Sequence, residues 1–390
     1  MEPEHAGRVM RASTGEGEQE REAAEPSAPP QVSGRAGGRA GGRAGGRAGG
    51  RAGGRAGGRR GPRPAGVATI GRVAEAAGVS RATVSRVMNG STTVNPELAA
   101  RVRAAAEALD YEPSPAARRL ALGRTGTVAL VVPDLANPLF QSVLRGLSQA
   151  AGKAGRQLLV VGTEEDPEEE VVLALEARRN SDGIVLASPR VPAERLCELS
   201  ARLAPFVLVY REVPGLGAPS LSIDNAAGIG AVVAHLTGLG HRHLAYLAGP
   251  PGSAGNAERL AALRAAPGVE LTVLECGSMF DDGHAAAPAV VASGASAVVG
   301  FNDMVASGVL TGLRELDVDV PGQVSVTGFD DIPFARYTTP PLTTVQIPQS
   351  ELGRHAWERL WALMNGEPGG FDVRYQPRLL VRGSTGPAPG

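Results

Sequence analysis

Residues 70–89 read IGRVAEAAGVSRATVSRVMN, and their spacing decides how the first folded segment is built. Thr69 can cap a short helix that carries Ile70, Val73, Ala74 and Ala77 on one face, with Gly78 to end it. Ser80 caps a second helix, Arg81–Asn89, whose Val84, Val87 and Met88 point inward and which Gly90 closes. Asn95-Pro96-Glu97 then offers a cap, a first-turn proline and an acid at the positive end of a third helix. That helix runs to about Leu109, with Leu98, Val102, Ala105 and Leu109 as its inner stripe. Two short helices on a tight glycine turn, followed by a longer third, is the helix-turn-helix plan. The second helix exposes Arg81, Ala82, Ser85, Arg86 and Asn89, and no acid lies between Ser80 and Met88. Arginine bonds both major-groove acceptors of guanine, while Ser and Asn reach phosphates or base edges. A merely solvated helix face would not need to exclude acids, so this face points to duplex DNA.

Outward from the headpiece comes YEPSPAARRLA, residues 111–121. Ser114 and Pro115 announce a helix of about two turns, marginal alone in water and therefore suited to folding on contact. Leu120, flanked by Arg118, Arg119 and Arg124, suits a wedge into a minor-groove step while the arginines hold phosphates. An ordinary interdomain linker is the alternative.

From Thr127 the texture becomes alternating apolar strands and helices. Strands are expected at 127–132, 157–162, 183–187, 206–210, 243–247, 271–274, 297–300 and 323–328, with helices such as 139–154 and 226–239 between them. That alternation implies parallel sheets wound with helices, and its length suits two doubly wound lobes. Ligands of such folds bind beyond the carboxyl ends of the strands. Those ends carry Asp134 and Asn137, Ser188, Tyr210-Arg211, Asn302-Asp303 and Asp330-Asp331. Each alone suits helix capping; their recurrence across both lobes points to an interlobe pocket.

The chain of 390 residues is nearly neutral, but the average hides a gradient. Residues 1–66 carry 12 Arg against 7 Glu, a net +5; 67–124 carry +3; and 125–390 carry −9. A basic front on an acidic body suggests that only the front meets a polyanion. Arg-Ala-Gly-Gly recurs from Arg35 to Arg59 without a core-forming residue. Residues 1–66 are expected to form no packed core. They read either as a flexible cationic arm with weak, sequence-independent affinity for nucleic acid or as a repeat-expanded terminus without a role. Two cysteines make no disulfide framework or zinc site. The absence of a secretory signal and of any membrane-length apolar stretch leads to the expectation of a cytoplasmic chain without membrane contact. No G-x-x-x-x-G-K-[ST], H-E-x-x-H or G-x-S-x-G occurs. Gly228-Ile229-Gly230 sits in a helical stretch, and His241 and His243 read as surface or turn residues. Asp330 and Asp331 would diverge along an extended backbone. The expectation is a non-enzyme without metal or cofactor.

IGRVAEAAGVSRATVSRVMN, together with SDGIVLAS, SIDN, LGHRHLAYLAGPP, VVGFND, VSVTGFDDIP, PPLTTV and LLVRGST, resembles the lactose/galactose repressor family. The resemblance runs in unbroken order over 67–386. It implies an all-α helix-turn-helix headpiece over 67–112, a hinge helix and linker over 113–124, and a core over 125–390. The implied core has two doubly wound α/β lobes like those of periplasmic sugar-binding proteins, which bind an effector and dimerise. It also implies a homodimeric transcription regulator, usually a repressor, whose headpiece reads half of a palindromic operator. By resemblance, Arg81 and Ala82 fill the principal base-reading slots. Thr69, Thr83, Ser85, Arg86, Asn89 and Tyr111 match further DNA contacts, and Ala117, Arg118 and Leu120 fall in the hinge, Leu120 as its minor-groove lever. With Ala82 limited to apolar contact, base discrimination falls on Arg81.

For the effector, Asn137 and Phe140 match the first-lobe wall, Tyr210 and Arg259 the cleft, and Asn302 and Asp330 the second lobe. An amide and a carboxylate together suit a sugar or sugar derivative. The chain departs from the family pattern in places. Arg72 replaces an acid, Tyr210 replaces the Asp usual before Arg, and Ala257 stands where Arg is common. These departures keep open an effector-independent regulator, or a cytoplasmic sugar-binding protein with a vestigial DNA module. The terminal RGSTGPAPG offers no apolar heptads for a coiled-coil tail.

Overall fold

The computed structural model describes residues 68–89, 93–111 and 124–390. The expected arm over 1–66, the closing Gly90, and the hinge with Ala117, Arg118 and Leu120 lie outside the described residues.

The headpiece forms as its caps require: α1 (Ile70–Ala77), α2 (Arg81–Met88) and α3 (Pro96–Ala108). Gly78 adopts φ 64°, which frees Val79 N–H to bond Ala74 O at 2.9 Å and stops α1. Ser80 Oγ accepts from Thr83 N at 3.1 Å, and Asn95 Oδ1 accepts from Glu97 N at 2.8 Å. Thr69 stands at the N-cap of α1 but its side chain makes no capping bond, a correction to its expected role. Val73, Ala74, Ala77, Val84 and Val87 pack on Ala99, Val102 and Ala106. The stripe on α3 is therefore shifted. Ala99 and Ala106 are buried, Ala105 and Leu109 only half-buried, and Leu98 stays outside this cluster. Small residues win the innermost places because the helices sit close. Arg101 donates to Ala77 O at 2.6 Å and so satisfies an open carbonyl at the end of α1.

The first lobe is built on parallel strands β1 (Thr127–Val132), β2 (Gln157–Gly162), β3 (Ile184–Ala187), β4 (Phe206–Val209) and β5 (Ser220–Ile223). The second holds β6 (His243–Ala248), β7 (Glu270–Glu275), β8 (Ala297–Gly300) and β9 (Ser325–Thr327), also parallel, in the order β7-β6-β8-β9. Three short strands follow: β10 (Thr344–Gln346), β11 (Val373–Tyr375) and β12 (Arg378–Leu380). With β11 at its edge the first sheet reads β11-β5-β4-β3-β1-β2, and β10 pairs antiparallel with β12. Helices α4 (Pro138–Lys153), α5 (Pro167–Arg179) and α6 (Ala193–Leu203) cover the first sheet. The chain then runs through α7 (Asn225–Gly238), α8 (Ala254–Arg264), α9 (Phe280–Ser293) and α10 (Asp303–Glu315), and returns in α11 (Gln349–Met364) to pack on α4. All eight expected strands form, three of them (127–132, 157–162 and 297–300) at the expected bounds and the other five with ends shifted by one or two residues. β5 and β10 to β12, only three or four residues each, are strands beyond those the sequence leads one to expect. Gly228-Ile229-Gly230 lies inside α7 as expected.

His241 departs from its expected surface position: it is fully buried. Its Nδ1 pairs with Ser296 Oγ at 2.8 Å, and its Nε2 lies 3.0 Å from Ser325 Oγ and from Gly386 O. Burial lowers its pKa and keeps it neutral. His243 is half-buried, with Nε2 2.8 Å from Thr272 Oγ1.

Two helix pairs interlock through glycine. On α4 and α11, a Cβ added at Gly353 would stand 2.1 Å from Val143 O, and one at Gly146 2.1 Å from Ser350 O. On α9 and α10, Gly283 faces Val305 O and Gly308 faces Phe280 O at 2.0 Å in the same sense. Backbone cannot retreat as a flexible side chain can, so the helices themselves would have to part. Gly353→Ala should therefore lower stability by about 1–3 kcal/mol. Gly152→Ala on α4, where nothing lies within 4 Å, should be neutral or slightly stabilising. Thermal denaturation of both variants checks this; equal melting temperatures would contradict the interlock.

Candidate functional site

Polar side chains converge where the strands of both lobes end. Ser188 after β3 has φ 52°, Tyr210 after β4 has φ 63°, and Asp330 beyond β9 has φ 111°. Left-handed backbone at non-glycine residues costs about 1–3 kcal/mol each and concentrates at sites where side chains must be aimed. All three line one cleft between the lobes, with Asn137, Phe140, Arg259 and Asn302. The cleft thus gathers every effector residue expected from sequence. Of the other polar strand-end residues, Asp134 caps Ala136 N, and Arg211 donates to Pro189 O and Val191 O. Asp303 is buried against Ile332 N and Thr344 Oγ1, and Asp331 pairs with Arg382 at 2.6 Å. None of these four lines the cleft.

Arg259 organises the second-lobe side. Its Nε donates to Asn225 Oδ1 at 2.9 Å, Nη1 donates to Phe301 O, and the guanidinium lies 3.6 Å from the centroid of Phe329. Asp330 Oδ1 is 3.8 Å from Arg259 Nη2, too far for a hydrogen bond. Among the described residues, Asp330 Oδ1 and Tyr210 Oη are two of the few buried side-chain atoms with no partner. Burial, only partly offset by Arg259, pushes the Asp330 carboxyl up to about 7. Burial also holds the Tyr210 phenol well above its ordinary range, with Asp330 adding to the rise, so it remains a donor. The Tyr210 ring meets Phe140 edge to face at 6.4 Å. The result is an aromatic wall beside an unpaired donor and an unpaired acceptor.

The two asparagines differ. Asn302 Oδ1 caps Val305 N at 2.8 Å, and its Nδ2 holds Ser278 O at 2.8 Å, so both ends of the amide are engaged. Asn137 Oδ1 caps Leu139 N at 3.0 Å. Residues not singled out from sequence also line the cleft, among them Glu165, Arg190, Asn225, Ser253 and Ser278. Arg190 is clamped by both oxygens of Glu165 and donates to Ser188 Oγ at 2.7 Å. Only the fold brings those partners together, and no local motif announced them.

On the headpiece, Arg81, Ala82 and Arg86 of α2 and Asn89 at its C-cap are exposed, while Thr83 and Ser85 are half-buried. The Arg81 guanidinium lies beside Gly71, where an added Cβ would come within 3.2 Å of it. Thr83 Oγ1 is 2.9 Å from Ser80 Oγ, which leaves it tied to the cap. Thr69 is exposed beside α1, and Tyr111 is half-buried against the headpiece core. Among the described residues no group of His, Cys, Asp or Glu could hold a metal, and no helix is long and apolar enough to cross a membrane.

Comparison with known proteins agrees with this architecture. Residues 69–114 match the bacterial regulatory proteins of the lacI family, and residues 233–385 match a periplasmic binding protein-like domain. The transcriptional regulator MalR of Streptomyces coelicolor is 34% identical over 335 residues, covering 82% of this chain and 96% of that protein. A solved lac repressor dimer bound to operator and an anti-inducer superposes with a TM-score of 0.72 at 24% identity, covering 82% of this chain and all of that one. The complex of the regulator CelR with cellobiose gives 0.59 at 30% identity, covering 81% and 99%. The chain belongs to the lacI family of bacterial regulatory proteins, DNA-binding regulators of transcription built from a helix-turn-helix headpiece and a two-lobed core.

Proposed function

We propose that this chain is a cytoplasmic, homodimeric repressor whose grip on a palindromic operator is set by a sugar or sugar derivative held between the lobes. Residues 67–112 read one half-site, 113–124 form the hinge, and 125–390 bind effector and dimerise. The observation that carries the reading is the meeting of Tyr210 Oη and Asp330 Oδ1, both buried and unpartnered, in one cleft with Arg259 and Asn137. A polyhydroxylated ligand supplies acceptors and donors to such groups, and the rings of Phe140 and Tyr210 suit its apolar face. That CelR was solved with cellobiose favours the same ligand class. A role in binding rather than turnover is favoured by the strand-end carboxylates. Asp331 is occupied by Arg382 and Gln346, so it is not free to act as a couple with Asp330.

Regulation then follows from linkage. A ligand shifts the operator-competent population only by its unequal affinity for the two states. On the DNA side, Arg81 carries base readout because Ala82 offers only a methyl group. Arg81→Ala should cost about 1–3 kcal/mol on the selected operator and much less on random duplex. Titrations of both duplexes at one salt concentration check this, and equal losses would remove Arg81 from sequence readout.

Asp330 makes effector binding sensitive to pH. Ligand hydroxyls donate to the carboxylate, so binding favours the ionised form and pulls its pKa down from about 7. Affinity should therefore rise as pH increases from 6 to 8 and level off above, with protons released below pH 7. A thermal-shift screen of neutral sugars identifies the ligand, and calorimetry at the two pH values reads the effect. Asp330→Asn should flatten the profile; the same slope in that variant would assign the titration elsewhere.

A further inference from the structure

We propose that the edge of the first lobe, where the chain enters the core, carries a phosphate-binding pocket that grips the DNA backbone beside the operator. The pocket is lined by Arg124, Arg156, Arg178, Arg179, Ser181 and Asp182. Four guanidiniums meeting one carboxylate stand out on a core whose net charge over 125–390 is −9. That carboxylate is already saturated. Asp182 accepts from Thr125 N at 2.6 Å, Thr125 Oγ1 at 2.9 Å, Gly126 N at 2.9 Å and Arg156 Nη1 at 2.9 Å. Arg156 is thereby neutralised, and the other three cations are not. Arg178 is held in place by Ala204 O at 2.8 Å and Ser181 O at 2.7 Å, which fix it without cancelling its charge. Arg124 is exposed, with one long contact of 3.4 Å to Met364 O, and Arg179 is exposed at the end of α5. Ser181 is 2% exposed, and its Oγ has no hydrogen-bond partner.

Planar guanidiniums together with an unpaired hydroxyl match the oxygens of a phosphate group. Chain connectivity favours DNA as the source of that phosphate. Only residues 112–123 separate the headpiece from Arg124, so the pocket stays within about 45 Å of contour from Tyr111. A headpiece seated on its half-site keeps these arginines at high local concentration over the flanking backbone. The contact would add grip without reading bases, in the way that backbone contacts do.

The test uses the full chain and a duplex that extends beyond the selected palindrome on both sides. Arg124→Gln combined with Arg179→Gln removes two exposed cations at the cost, among the described residues, of only the long Arg124 contact to Met364 O. Log affinity plotted against log salt should lose about one unit of slope for each phosphate contact removed. The two proteins should converge at high salt. Arg179→Gln alone should give a smaller change in the same direction. Thermal melting without DNA should be the same in all three proteins. An unchanged slope would overturn the proposal. If inorganic phosphate then raised the melting temperature of the wild type but not of the double variant, the pocket would be a free-phosphate site, and the DNA contact would be excluded.

Discussion

A guanidinium buried between two lobes constrains everything around it. Arg259 arrives from α8 into a region with almost no water access, where an unpaired cation would cost several kcal/mol. The fold answers with Asn225 Oδ1 and Phe301 O as acceptors and the face of Phe329 as a platform. Asn225 is itself held by Glu258, whose carboxylate accepts from Asn225 Nδ2 at 2.8 Å. With its needs met by neutral acceptors and a ring, Arg259 does not consume Asp330. The carboxylate stays 3.8 Å away and keeps an oxygen for something else. Had Asp330 closed on Arg259, the cleft would hold a finished ion pair and little to offer a ligand.

The same logic explains the strained strand ends. Ser188, Tyr210 and Asp330 sit at positive φ, a conformation unfavourable for residues with a Cβ. Parallel strands deliver their carboxyl ends to one side of each sheet, and the left-handed turn then swings the side chain towards the facing lobe. The two lobes are thus poised with complementary, incompletely satisfied polar groups across a gap. Rigid helix pairs behind them, α4 on α11 and α9 on α10, meet through glycines at backbone contact. Strain at the site rests on packing that cannot easily give way.

Much of this was legible in the sequence. Ile70, Val73 and Ala77 on α1 and Val84 and Val87 on α2 repeat at helical spacing, and Gly78, Ser80 and Asn95 mark the helix ends by local chemistry. Long apolar strands such as Val128–Val132 announce themselves by composition. All six expected effector residues reached the cleft, carried there by motif resemblance more than by periodicity. What escaped depended on distant partners. His241 looks like a turn residue until Ser296, Ser325 and Gly386 close around it. Glu165 and Arg190 become a clamp only when the loops after β2 and β3 are side by side. Strands β10 to β12, three residues each, are too short for alternation to register. Thr69 occupied its cap position without using its hydroxyl, because backbone geometry alone can start a helix.

In the proposed regulator the cleft and the headpiece share one conformational equilibrium. The direct measurement is the effector's dissociation constant by calorimetry, once on free protein and once on protein saturated with its operator. Linkage requires the two constants to differ, and by the same factor with which effector changes operator affinity. Agreement of those factors is the predicted result. Identical effector affinities in the presence and absence of operator would contradict it, leaving a cleft that binds sugar and a headpiece that binds DNA with no coupling between them.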